Sequence, residues 1–112
     1  MRISFKSADL RGLCNDDKLL RRQFGEKGRK KIRQRLDELD AADTLAVIGR
    51  LPGPRCEELK GSRAGTFSVR VHDGYRLIFI PDHDPVPRKD DGGFDWPAIT
   101  AIRIEAIEDY HD

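Results

Sequence analysis

The first five residues alternate, with Met1, Ile3 and Phe5 apolar and Arg2 and Ser4 polar. That period-two pattern predicts a short strand. Beyond it the apolar spacing lengthens. Asn15 is placed to cap a helix with Asp16 and Asp17 in its first turn. Leu19, Leu20 and Phe24 supply its apolar side, and Gly25 ends it. A second helix is predicted from Glu26 to Ala41, where Ile32, Leu36 and Leu39 fall at i, i+4 and i+7. Asp43 then caps one short turn through 44–48, closed by Gly49, and Pro52-Gly53-Pro54 breaks the chain.

From residue 66 the period returns to two. Phe67, Val69 and Val71 share one face, and Ser68, Arg70 and His72 share the other. Asp73-Gly74 is a two-residue hairpin signal, because both positions of that turn need positive φ. The return strand, 75–80, puts Tyr75, Leu77 and Phe79 on one side and Arg76 on the other. Residues 81–97 hold four prolines and Gly92-Gly93, so a long loop is expected. The isoleucine-rich stretch 99–107 predicts a last strand. Its apolar positions 99, 102, 104 and 107 do not alternate, so the strand needs a bulge to restore its phase, with a helix as the competing reading. One strand, two helices and an antiparallel run of three to four strands give a single α+β domain over residues 1–112, with the sheet packed on the helices.

Charge changes this picture. Residues 1–35 carry twelve Lys/Arg against four Asp/Glu, while residues 36–112 carry nine against sixteen. The basic half, crowded by Lys27, Arg29, Lys30, Lys31, Arg33 and Arg35, suits a polyanion, although taken alone the feature is better explained by solvated helix faces. Cys14 and Cys56 stand apart from each other and from metal-ligand spacing, which fits reduced thiols. No signal-peptide run or membrane span is present in the pattern, so a soluble cytoplasmic protein is expected.

The sequence offers no Gly-rich phosphate loop, no GxSxG elbow and no zinc motif among His72, His83 and His111. No metal, cofactor or small-molecule ligand is expected. What remains is a set of basic and titratable residues on the predicted sheet. Lys60 and Arg63 flank the turn before the hairpin, Arg70 and Arg76 point from adjacent strands to one face, and Asp109, Tyr110 and His111 follow the last strand. Guanidiniums can stabilise the charge of a pentacoordinate phosphorus, and a carboxylate, phenol or imidazole can move the two protons of cleavage by an RNA 2′-OH. Each residue also has an ordinary reading as a solvated arginine, an edge-capping tyrosine or a frayed terminus.

Three motifs in order then resemble a known family. The stretch Glu58-Leu59-Lys60-Gly61-Ser62-Arg63-Ala64-Gly65-Thr66-Phe67-Ser68-Val69-Arg70-Val71 resembles the central segment of HigB toxins. Gly74-Tyr75-Arg76-Leu77-Ile78-Phe79 resembles their aromatic-Arg-hydrophobic strand, and Glu108-Asp109-Tyr110-His111 their Asp-Tyr-His ending. HigB toxins belong to the RelE/ParE superfamily of type II toxin–antitoxin systems. The resemblance implies a RelE-like fold and an endoribonuclease that cleaves mRNA, often on the ribosome. It also implies inhibition by a helix-turn-helix, HigA-like antitoxin.

Residue by residue, it implies catalytic roles for Asp109, Tyr110, His111 and Arg76, and RNA contacts for Lys60, Arg63 and Arg70; the charge of the basic helix, apart from the resemblance, adds Lys27, Lys30 and Lys31 as candidate contacts to RNA phosphates. Where many relatives carry a histidine two residues before the Leu-Lys/Thr-Gly turn, this chain has Glu57. Glu57 therefore joins the catalytic set as a carboxylate in a histidine's place. That substitution keeps open an inactive relative acting as a binding module, and the superfamily keeps open a ParE-like gyrase inhibitor. The long loop 82–97 is a candidate for antitoxin or ribosome recognition.

Overall fold

The computed structural model describes residues 1–110, so His111 lies outside the described residues. The chain runs β1 (Arg2–Phe5), α1 (Ala8–Cys14), α2 (Asp17–Ala41), α3 (Leu45–Arg50), β2 (Glu57–Glu58), β3 (Phe67–Arg70), β4 (Tyr75–Pro81) and β5 (Ala101–Asp109). The strands form one five-stranded sheet in the order β1-β5-β4-β3-β2. This is the expected RelE-like α+β arrangement with two refinements. The sheet has five strands, and its β1–β5 pair is parallel.

The helical half is one helix richer than the pattern predicted. Ser7 caps α1 by accepting from the Leu10 amide at 3.1 Å. Leu10, Leu13 and Cys14 give α1 an apolar side, but seven residues carry too little periodicity to stand out. Asp16 caps α2, in place of the expected Asn15, accepting from Lys18 at 2.9 Å and Leu19 at 3.2 Å. Asn15 is instead the C-cap of α1. The break expected at Gly25 is present, since its φ of 75° and ψ of 174° interrupt α2. Thr44, rather than Asp43, is the N-cap of α3.

The crowded cations of α2 are answered locally. Arg29 and Arg33 reach back across the Gly25 break to Asp17, and Arg29 also pairs with Glu26. Hydrogen bonds from Arg29 and then Arg21 hold the Glu26 carboxyl down at about 2. Arg35 differs, being 4% exposed. It donates to the Arg70 carbonyl at 2.7 Å, the Gly53 carbonyl at 3.0 Å and Glu38 at 2.7 Å, tying the helix to β3 and to the break at 52–54.

One sheet face meets the helices over a core of Phe67, Val69, Val71, Leu77, Phe79, Ile102 and Ile104, joined by Leu20, Ile32, Leu36 and Leu39. Fully burying one such side chain contributes about 1.5–3 kcal/mol. The phase problem of the last strand resolves as a bulge. Ile78 pairs with Ala106 and Phe79 with Ile104, so Glu105 is an extra residue, and Ile102, Ile104 and Ile107 all reach the core side.

The hairpin turn is of the predicted kind. Asp73 and Gly74 have φ of 55° and 84°, and the Tyr75 amide donates to His72 at 3.0 Å. The long loop is an ordered excursion. Arg88 and Phe94 form a β-bridge, and Phe94 and Trp96 pack against Phe67 at 5.2 and 5.1 Å between ring centroids. The Trp96 ring lies so close to Gly49 that a Cβ there would stand 2.9 Å from it.

Candidate functional site

The outer face of the sheet, opposite the helices, gathers a charged cluster where β3, β4 and β5 lie side by side. The register sets Arg70 against Arg76 and Arg76 against Glu108, so these three share one row and one face. A two-residue strand at the sheet edge adds Glu57, opposite Ser68 on the same face. The short 3-10 turn Gly61–Arg63 delivers Arg63 from the side. Tyr110, just past β5, is held by its amide, which donates to the Gly74 carbonyl of the hairpin turn at 3.0 Å.

Tyr110 organises the group. The Arg63 guanidinium lies 5.5 Å from the centroid of its ring and that of Arg76 lies 5.9 Å away. Both distances are within cation–π range. Arg63 also forms an ion pair with Glu108. Arg76 Nη2 stands 3.7 Å from Glu57 Oε1. Arg76 is 9% exposed, and among the described residues its Nη1 has no hydrogen-bond partner. A buried guanidinium with spare donors is rare because it forfeits hydration without full repayment. An anion docking on it would restore the missing bonds. Arg70 is exposed and, with Arg76, Tyr110 and the 71–75 turn, lines a groove of about 430 Å³.

The other expected residues are placed as follows. Asp109 pairs with Tyr75, whose ring packs edge-on against Phe24, so the register puts Asp109 on the helix side of the sheet. This corrects the grouping of Asp109 with Tyr110 beside Arg70 and Arg76, because alternation carries neighbouring residues of a strand to opposite faces. Lys60 is exposed and begins the 3-10 turn that carries Arg63. Lys27 and Lys30 are exposed on α2, and Lys31 donates to Gln34 at 3.3 Å. These three lysines lie outside the cluster, although Phe24 and Gly28 of the same helix line a small cavity with Val71, His72, Asp73 and Tyr75.

Glu108 is the member of the charged cluster that sequence reasoning passed over. The signal was available, since residues 108 and 110 share a face in any strand through this stretch. The two thiols take no part. Burial pushes Cys14 up to about 11 and Cys56 up to about 12, the latter helped by the neighbouring Glu57 carboxylate. Among the described residues no group of three or more His, Cys, Asp or Glu is placed to hold a metal ion. No helix among them is long and apolar enough to cross a membrane.

Comparison with known proteins decides the family. The model of the HigB-like toxins, RelE-like toxins of type II toxin–antitoxin systems, matches residues 3–86. The chain belongs to this family. It is 35% identical over 79 residues to Toxin HigB-1 of Vibrio cholerae, an alignment that covers 70% of this chain and 82% of that protein.

Solved toxin structures share the fold of this HigB-like chain at low identity. A YoeB/ParE toxin from Agrobacterium tumefaciens superposes with a TM-score of 0.55 at 13% identity, covering 99% of this chain and 100% of that one. The YoeB-YefM complex from Staphylococcus aureus gives 0.53 at 23% identity, with 100% and 98% covered. The family match ends before β5, so the contribution of Glu108 and Tyr110 to the cluster stands on this structure's geometry.

Proposed function

We propose that this HigB-like toxin is an mRNA endoribonuclease that works by metal-free acid–base chemistry in the cytoplasm. The observation that carries the reading is Arg76, a buried guanidinium beside the Glu57 carboxylate and over the Tyr110 ring, whose Nη1 has no hydrogen-bond partner among the described residues. The scissile phosphate docks on Arg76, with Arg63 and Arg70 binding its oxygens and the next phosphate. Glu57 takes the proton of the 2′-OH as that oxygen attacks phosphorus. The P–O5′ bond breaks, and the departing 5′-oxygen is protonated by Tyr110 or by the adjoining His111. The products are a 2′,3′-cyclic phosphate and a 5′-hydroxyl. Glu57 thus replaces the family's histidine as base rather than abolishing the chemistry.

Lys60 and the α2 lysines Lys27, Lys30 and Lys31 extend the positive surface to more distant phosphates of mRNA and ribosome. A helix-turn-helix antitoxin is the expected inhibitor. Family membership supports such a pairing, and the related fold in Staphylococcus aureus is described as a complex with YefM.

The test is direct. Purified chain is mixed with free mRNA in excess EDTA and with ribosome-bound mRNA in magnesium buffer, and the ends of the fragments are identified. Cyclic-phosphate and 5′-hydroxyl ends are expected. Intact RNA in the presence of folded chain, with and without ribosomes, would sink the reading.

A further inference from the structure

We propose that Glu108 is an internal stand-in for an RNA phosphate, holding Arg63 in the free toxin and released from it when RNA binds. The inference rests on reading the cluster as an RNA site and adds to it a residue with no place in the cleavage steps.

Glu108 sits in the row Arg70–Arg76–Glu108, on the face where RNA docks. It pairs with Arg63 while that guanidinium stacks on Tyr110, so one carboxylate fixes the cation in the posture that an incoming phosphate needs. The Glu108 side chain is 32% exposed and that of Arg63 38%, so a ligand approaches from the Arg63 side, while Glu108 Oε1, the oxygen that meets Arg63, is itself buried. Arg76 needs no such stand-in, because its guanidinium is walled in by the strands and only 11% of its side chain is exposed. An arginine carried on a short surface turn, with 38% of its side chain exposed, is the one that benefits from being held. A carboxylate also presents two oxygens to a guanidinium much as a phosphodiester does. Phosphate docking is then an exchange of one anion for another, and the negative charge of Glu108 opposes it.

The experiment measures equilibrium binding of an RNA oligonucleotide made uncleavable by 2′-deoxy substitution, over a series of salt concentrations. Glu108→Gln keeps the shape and a hydrogen-bond acceptor while removing the charge. Glu108→Ala is the second variant, and Asp90→Asn, exposed at the tip of the excursion, is the control for lost charge as such. Thermal unfolding verifies that each variant is folded.

Removing one charge within a few ångströms of the bound phosphate is expected to tighten binding on the order of five-fold. Arg63, now neutralised by free ions, should release one more on binding, steepening the log–log salt slope by about 0.7. Asp90→Asn should change neither. The proposal is overturned if folded Glu108 variants bind as wild type or more weakly, with an unchanged slope, while wild type binds; the site reading then stands. If wild type itself binds no RNA, both fall.

Discussion

The two ends of β4 treat their charges in opposite ways. At the end that begins with Tyr75, three guanidiniums meet two carboxylates, and a buried arginine keeps a donor unused among the described residues. At the end that runs into the 82–100 excursion, polar groups are answered on the spot. Arg88 stacks on Phe94 at 4.5 Å, Lys89 pairs with Asp91 at 3.7 Å, and Ser4 donates to Asp82 at 2.9 Å. His83 Nε2 accepts from the Thr100 amide at 3.1 Å. Phe94 and Trp96 meanwhile close the core over Phe67. The contrast is one of polar accounting: the long excursion pairs several of its polar groups locally and caps the core, while the hairpin end keeps a buried guanidinium donor without a partner among the described residues.

If that division is right, substitutions at the two ends should separate activity from stability. The largest effect is expected from Glu57→Gln, which removes the proposed base. Cleavage should fall about 10²–10⁴-fold while the unfolding midpoint stays put, since half of the Glu57 side chain is exposed. Single-turnover kinetics and thermal unfolding check it together, and wild-type turnover would remove Glu57 from the mechanism.

At the other end, Phe94→Ala should cost about 3–5 kcal/mol of folding stability by denaturant titration, with RNA affinity unchanged below the transition. A loss of affinity in folded protein would tie the excursion to the site. Arg35 joins helix to sheet, and Arg35→Met should cost about 2–4 kcal/mol by stranding the Arg70 and Gly53 carbonyls. Its folded fraction should also bind RNA less tightly than wild type, because Arg35 anchors the Arg70 backbone.

The smallest effect belongs to Glu26, whose side chain is half exposed. Its carboxyl is held at about 2 in the fold, below its usual value, so its contribution is present above about 4.5 and is lost as pH falls toward 2. Glu26→Gln should flatten the pH dependence of unfolding in that window, leaving the variant slightly less stable than wild type at neutral pH and equal to it as pH falls toward 2. An unchanged acid limb would show that its pairing with Arg29 and Arg21 is not felt.

Much of this was legible in the sequence, for identifiable reasons. The hairpin was readable because Asp73-Gly74 permits few alternatives to a tight turn. The bulge was readable because four isoleucines out of phase must be reconciled with one buried face. The edge strand Glu57–Glu58 was not, because two residues have no period. The parallel β1–β5 pair is a contact across most of the chain and leaves no local mark. For the site, alternation put Arg70 and Arg76 on one face correctly. Treating Asp109-Tyr110-His111 as one motif set aside the same alternation, which sends Asp109 to the far side and brings Glu108 in.

The central claim is that Arg76 is buried to bind a phosphate rather than to hold the sheet together. Mapping RNA 5′ ends in cells after induction of wild type and Arg76→Ala, at matched levels of folded protein, tests it most directly. The account predicts abundant new 5′-hydroxyl ends with wild type and their loss by at least about a hundredfold with the variant. An Arg76→Ala protein that yields the same cleavage map at the same intensity would contradict it.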